Sequence, residues 1–229
     1  GFPEGTLDIL NEAETRAKIL DDGSSLITVY SRIGHYHSLK GNPGLGITYS
    51  EMSFEQAVKM KDIAFMAQTA RYLCLSHFVR GDNRKMFEIS YRTLRMIEES
   101  KREKDIYFGI NVYSVLCGWC GHALGIMGKS HEYASYMEKG IMIAQQCNDK
   151  YAMGYIEQMH AVTLFWEGAD GDTIIDHAQK CIRYWGEGGV DIFMGLGWCI
   201  LGIGYSLLGE YETAATHLLK GYQLQEKVA

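Results

Sequence analysis

The chain has 229 residues, 47% of them apolar, and a formal net charge of −6. Its lysines and arginines form no cluster long enough to follow a phosphate backbone, which argues against nucleic-acid binding through a basic face. No apolar run reaches the ~18 residues of a membrane-spanning helix, so the expectation is one cytoplasmic domain with a continuous core.

The opening Gly1-Phe2-Pro3 has neither an initiating methionine nor a signal peptide, as expected of a segment of a longer protein in which Gly1 is a tag remnant. Residues 5–22 read as an amphipathic helix with a stripe of Leu7, Leu10, Ala13, Ala17 and Leu20, ended by Asp21-Asp22-Gly23. Ser24 or Ser25 then caps a first helix pair, with helices near 25–40 and 43–60. Pro43 suits the first turn of the second helix, where a missing N–H costs nothing. Pair two covers about 62–80 and 83–101, joined at Gly81-Asp82-Asn83, whose residues favour a turn. A charge run of mixed sign, 98–105, reads as a solvated connection to pair three, about 105–127 and 130–147. Pair four takes about 149–167 and 172–186, with roughly two extra residues in its turn at Asp170-Gly171-Asp172. The glycine-rich stretch 186–189 reads as the most flexible of the chain, a turn before pair five at about 190–208 and 211–227. No strand pattern emerges.

Five glycines mark the turns inside these pairs: Gly41, Gly81, Gly128, Gly168 and Gly209, spaced by 40, 47, 40 and 41 residues. Seven residues before each stands Gly34, Cys74, Gly121, Ala161 or Gly202, all small, as close crossing of two helices requires. Twelve residues after the markers come Ser53, Thr93, Gly140, Lys180 and Gly221, a less uniform set. The 47-residue interval predicts a longer helix pair around Glu99 to Tyr107.

The last pair reads Trp198, Leu201, Gly202 and Tyr205, then Gly209, Tyr211 and Ala214. That order, W-x2-L-G-x2-Y followed by a turn glycine, an aromatic and an alanine, resembles the tetratricopeptide repeat family. The resemblance implies an all-α fold: a right-handed α-solenoid of about five helix-turn-helix repeats plus an N-terminal helix. The whole of 1–229 would form one domain, with repeats at about 24–60, 62–101, 105–147, 149–186 and 190–227. Its repeats run near 40 residues instead of about 34 and lack the terminal proline. In this the chain resembles a long-repeat branch found as regulatory modules of bacterial signalling proteins, beside an ATPase and a nucleotide cyclase or DNA-binding domain. The opening run 13–22, A-E-T-R-A-K-I-L-D-D, looks similar to that branch.

Several catalytic and metal motifs are imitated without their context. Residues 123–130, ending Gly128-Lys129-Ser130, approach a phosphate loop, but the chemistry needs a preceding strand and a helix precedes here. Cys117-Gly-Trp-Cys120 approaches a redox pair, yet both thiols fall on inward-packing positions. The six cysteines, at 74, 117, 120, 147, 181 and 199, lie in apolar stripes and suit a reducing compartment. His122 beside Cys117 and Cys120 lacks a second ligand pair at zinc spacing. His131-Glu132 has no second histidine, and His35 and His37 point to different helix faces. The expectation is therefore no enzyme, no metal and no cofactor.

In the tetratricopeptide family, first helices line a ligand groove. Carried over by register, that groove takes Ser31 and His35 from pair one and Gln68, Arg71 and Phe78 from pair two. Pair three contributes His122, and pair four Tyr155, Gln158 and Phe165. The cationic clamp of the chaperone-binding branch is lacking, Arg71 being the sole cation among these positions. The resemblance then implies a protein-interaction or regulatory scaffold, holding a peptide or a partner domain, including a neighbouring domain of its own chain. A small-molecule effector in the groove and a homodimer through the terminal helices are the two competing readings.

Overall fold

The computed structural model describes residues 3–228. The start at Gly1-Phe2, read above as a cut end, lies outside the described residues. Among the described residues eleven α-helices carry the fold, and these residues divide into two compact units between Arg102 and Glu103.

The first unit holds α1 (Thr6–Ile19), α2 (Gly23–Leu39), α3 (Pro43–Met60), α4 (Ile63–Arg80) and α5 (Asn83–Glu99). Helices α2/α3 and α4/α5 form antiparallel pairs, and α2 also packs on α4, so first helices stack on first helices. Ala17 of α1 seals against Leu26 and Tyr30 of α2. Leu20, expected on that stripe, is 75% exposed because α1 ends at Ile19. The cap of α2 also differs from expectation. Asp22, not a serine, accepts from the Ser24 and Ser25 amides at 3.1 Å each, and both serine hydroxyls donate to its carboxylate. Those four donors, the Ser25 hydroxyl foremost, hold the Asp22 carboxyl down at about 2.

The second unit holds α6 (Val112–Ile126), α7 (Ser130–Gln146), α8 (Lys150–Glu167), α9 (Gly171–Gly188), a 3₁₀ turn (Asp191–Phe193), α10 (Met194–Leu207) and α11 (Tyr211–Val228). Pairs α6/α7, α8/α9 and α10/α11 repeat the arrangement, with α6 on α8 and α8 on α10. Helix α6 is apolar on every side and buried from Val112 to Gly125.

The five marker glycines are the turns of the pairs. Gly41, Gly81, Gly128, Gly168 and Gly209 all adopt left-handed backbone, φ 75–81°, a conformation that costs a side-chain-bearing residue roughly 1 kcal/mol or more. The small residues seven positions earlier are the crossing points. A Cβ on Gly34 would lie 3.0 Å from the Gly46 carbonyl, and one on Gly202 3.0 Å from the Ala214 carbonyl. Ala161 and Cys74 are fully buried at the same place.

The ragged second-helix position has a simple cause. Helices α3, α5, α7 and α11 begin two residues after their glycine, but α9 begins three after Gly168. One extra residue, instead of two, shifts the register, so Cys181 and not Lys180 takes the equivalent place. Cys181 is fully buried there, as are Ser53 and, nearly so, Thr93.

Two expectations on connections are corrected. The surplus residues before pair three are not helix: α5 ends at Glu99 and α6 begins only at Val112. Lys61 and Lys101 both adopt left-handed backbone, φ 55° and 54°. Asp62 then caps α4, whereas Arg102, a donor-only side chain, follows Lys101 and offers no acceptor for a helix start. The chain instead makes a tight turn at Phe108-Gly109, closed by Tyr107 N–H to Ile110 O (2.9 Å) and its reverse (3.2 Å). Asn111 ends it. Its Oδ1 accepts the Ser114 amide, its Nδ2 donates to the Glu103 and Asp105 carbonyls, and its own amide donates to Asp149 Oδ2 at 2.6 Å. Second, the glycine-rich stretch does not break the helix. Helix α9 runs through Gly186–Gly188 and ends at Gly189, φ 64°, with Val190 N–H bonding back to Trp185 O.

Candidate functional site

Helix period places the groove candidates on the first helices, and the structure sorts them by what they touch. In the first unit, Ser31 is buried. The Ser53 hydroxyl donates to Ile27 O at 2.7 Å, so Ser31 donates to Ser53 across α2 and α3 at 2.8 Å. Ser31 therefore stitches a helix pair together and presents no surface.

His35, Arg71 and Tyr72 form a cluster between α2 and α4. The Arg71 guanidinium lies 4.4 Å from the Tyr72 ring centroid, and the His35 ring 5.2 Å from it on a tilt of 40°. Burial first, then the charges of Arg71 and Arg32, push His35 down to about 4, so it is neutral at pH 7. Gln68, one turn before Tyr72, is half-buried. Phe78, near the C-terminal end of α4, is half-buried as well. Away from these positions, a cleft of about 410 Å³ opens between Phe54, Met66, Tyr91, Arg95, Met96 and Glu99. The sequence reading did not anticipate it.

In the second unit His122 is 2% exposed, and its Nδ1 lies 2.8 Å from Thr163 Oγ1. The Thr163 hydroxyl donates to Met159 O at 2.6 Å, so it accepts from His122 and fixes the proton on Nδ1. Burial pushes His122 down to about 4. Like Ser31, it is consumed in holding helices together, here α6 to α8. Residue offset alone carried it to the groove, and the close packing of α6 encloses it.

Tyr155, Gln158 and Phe165 behave differently. Tyr155 stacks nearly parallel on Tyr151 (6.2 Å, 8°), with Trp119 edge-on at 5.6 Å. Gln158 is half-buried beside this aromatic row, and Phe165 is 38% exposed at its far end, next to the 69% exposed Trp166. The row extends the other way through Tyr151 to Phe193 (5.8 Å). Aromatic faces with an amide among them can hold an apolar side chain or an extended backbone.

Sequence reasoning missed a second grouping. Glu157 and His160 on α8 and His177 on α9 place one donor atom each within 4.8 Å of one another. The signal available was Glu157-Gln-Met-His160, an acid and an imidazole one turn apart. His177 is 17 residues further on, and only the packing of α9 brings it there. Of the imitated motifs, the cysteine pair is absorbed by packing, while Lys129 is exposed. Cys117 and Cys120 are fully buried on α6, and Lys129 precedes the first residue of α7, its Nζ 3.5 Å from Glu132.

No protein-family model matches the chain. No curated protein matches it either. Solved structures do. BtubC (BKLC) from P. vanneervenii superposes with a TM-score of 0.64 at 12% identity, over 95% of this chain and 87% of that one. Aspartyl phosphate phosphatase F from Bacillus subtilis gives a TM-score of 0.70 at 14% identity, over 94% of this chain. This chain spans about half of that phosphatase, 54% of its length. A Podospora anserina protein described as a kinesin light chain with nearly identical TPR-like repeats gives 0.57 at 10% identity, over 88% and 95% of the two chains. At such identities the likeness is one of architecture, and together with the marker glycines and small crossing residues it identifies the fold: this chain is built of tetratricopeptide-like helix-turn-helix repeats.

Proposed function

We propose that the chain is a non-catalytic interaction scaffold that binds a peptide or a partner domain on its first helices and serves regulation within a larger signalling protein. The observation that carries the reading is the contrast on those helices. Ser31 and His122 are spent on helix packing, while Arg71, set over the buried Tyr72 ring, and the Tyr151–Tyr155 row with Gln158 are only half-buried. A half-buried cation over an aromatic ring can meet a carboxylate, and the aromatic row offers area for apolar side chains. The repeat architecture favours this use, because stacked helix pairs create extended binding surfaces from many equivalent positions. Residues 1–229 acting as one solenoid in a cytoplasmic bacterial protein is part of the proposal.

Peptides selected from a random phage-displayed library against the purified chain provide the test. Arg71→Ala or Gln158→Ala should weaken a selected peptide by about 10-fold, the worth of one good polar contact near 1.4 kcal/mol, with the melting temperature unchanged. A fall in melting temperature with unchanged affinity would assign these residues to packing and sink the reading.

Self-association is the second reading, and α11 favours it. Tyr211, Leu219 and Tyr222 are 71%, 57% and 58% exposed, an apolar row of the kind that marks contact surfaces. Light scattering over a 100-fold range of concentration, about 1 to 100 μM and so bracketing a micromolar dissociation constant, should show mass doubling. A monomer throughout removes this reading.

A further inference from the structure

Glu157, His160 and His177 sit between α8 and α9, apart from the positions assigned to partner binding. Glu157 Oε2 and His177 Nδ1 are 2.6 Å apart, and the two imidazole centroids are 4.1 Å apart. Glu157 is only 8% exposed. A buried carboxylate must be paired or coordinate a metal, and one imidazole already pairs it. A second imidazole packed against the first is more than an ion pair requires. His160 also packs edge-to-face with Tyr133, ring centroids 5.2 Å apart at 82°.

We propose that Glu157, His160 and His177 form a binding site for a divalent transition-metal ion, zinc in the first instance, with one coordination position left to water. Two imidazoles and one carboxylate are a donor set that zinc accepts in three-ligand sites with an open fourth position. Donors bonded to one zinc at about 2.1 Å stand about 3.4 Å apart in a tetrahedral arrangement. That value falls between the shortest separation here, 2.6 Å, and the outer limit of 4.8 Å, so side-chain shifts of about 1 Å close the site. Partial exposure of His177 and Glu157, 14% and 11% by side chain, leaves a route in from solvent.

The surroundings agree. Burial first, then the charges of His177 and Lys180, push His160 down to about 3, so its ring is neutral and ligand-competent at pH 7. Lys180 is the opposing charge nearby, and its ammonium is held by Asp176 at 2.5 Å. Cys181, one turn beyond His177, has its thiol pushed up by burial and then by the Glu157 charge, and it is not among the clustered donors. Metal in this place would bridge the two helices of one pair and would stabilise the folded chain by mass action.

Calorimetric titration of the metal-stripped full chain with Zn²⁺ should show one site per chain. Saturating Zn²⁺ should raise the melting temperature by about 8 °C, the shift expected when ligand is ~100-fold above its dissociation constant. Glu157→Gln, His160→Gln and His177→Gln should each lower the affinity ~10-fold or more. Glu157→Gln keeps the size of the side chain and serves if a histidine variant fails to fold. Absence of Zn²⁺ heat in the wild-type chain overturns the site. So does binding that survives unweakened in a folded variant, which would place the ion elsewhere. Neither outcome bears on peptide binding at Arg71 or Gln158.

Discussion

Gly221→Val should cost about 3 kcal/mol and lower the melting temperature by roughly 10 °C. Gly221 lies where α11 crosses α10, facing Gly195 backbone to backbone. A Cβ on Gly221 would stand 2.6 Å from the Gly195 carbonyl, 2.6 Å from Cys199 Sγ and 2.9 Å from the Cys199 amide; one on Gly195 would stand 2.6 Å from the Gly221 carbonyl. Two of the three obstacles are backbone atoms, which no change of rotamer removes. The helices must part, and the buried contacts of Leu201 and Ala214 loosen with them. Gly186→Ala is the matched control. Gly186 is helical in α9 with nothing within 4 Å of its would-be Cβ, so alanine there should stabilise by up to ~1 kcal/mol through backbone entropy. Urea unfolding followed by helical circular dichroism measures both. A Gly221→Val chain that unfolds like wild type would disprove the close crossing on which the repeat geometry depends.

Trp185→Ala should be still more damaging, about 3–5 kcal/mol. The indole of α9 is fully buried, lies against Gly154 of α8, and packs on Phe193 of the 3₁₀ turn at 5.5 Å. Its Nε1–H donates to Tyr151 O at 3.2 Å. Truncation removes the largest fully buried side chain of pair four, opens a cavity between two helices, and takes one of its donors from the Tyr151 carbonyl. The geometry at Gly154 sharpens the test, because a Cβ there would be 2.4 Å from the indole Cδ1. Gly154→Ala should therefore destabilise the wild-type chain but cost much less in the Trp185→Ala background, where the space is vacant. A double-mutant cycle should give a coupling of at least ~1 kcal/mol. Additive effects would show that the two residues do not share that space.

Much of the fold was legible because it rests on local backbone demands. Gly41, Gly81, Gly128, Gly168 and Gly209 announce turns that need left-handed backbone, and the small residues seven places earlier announce helix crossings. A further signal was present but went unread. Asp22, Asp62 and Asp149 each follow a left-handed residue and cap a helix, and Arg102 breaks that series where the helix fails to start. The candidate binding residues were legible only as helix faces. Period assigned Ser31 and His122 to the same class as Arg71 and Tyr155, and nothing local distinguishes a serine that bonds a neighbouring helix from one that faces solvent.

By itself, the sequence determined an all-helical chain of paired helices, where each pair turns, and where its backbones approach, because these follow from φ at single glycines and side-chain volume at single positions. The tertiary structure alone decided which polar groups meet. The distance from His177 to Glu157 depends on how α9 is rotated and slid along α8, and that is fixed by the fit of Ala161, Ile174 and Ala178 in the core and of Trp185 against Gly154. Such interlocking is a property of many side chains at once, in a close-packed interior that tolerates little misfit, and no short stretch of the chain contains it.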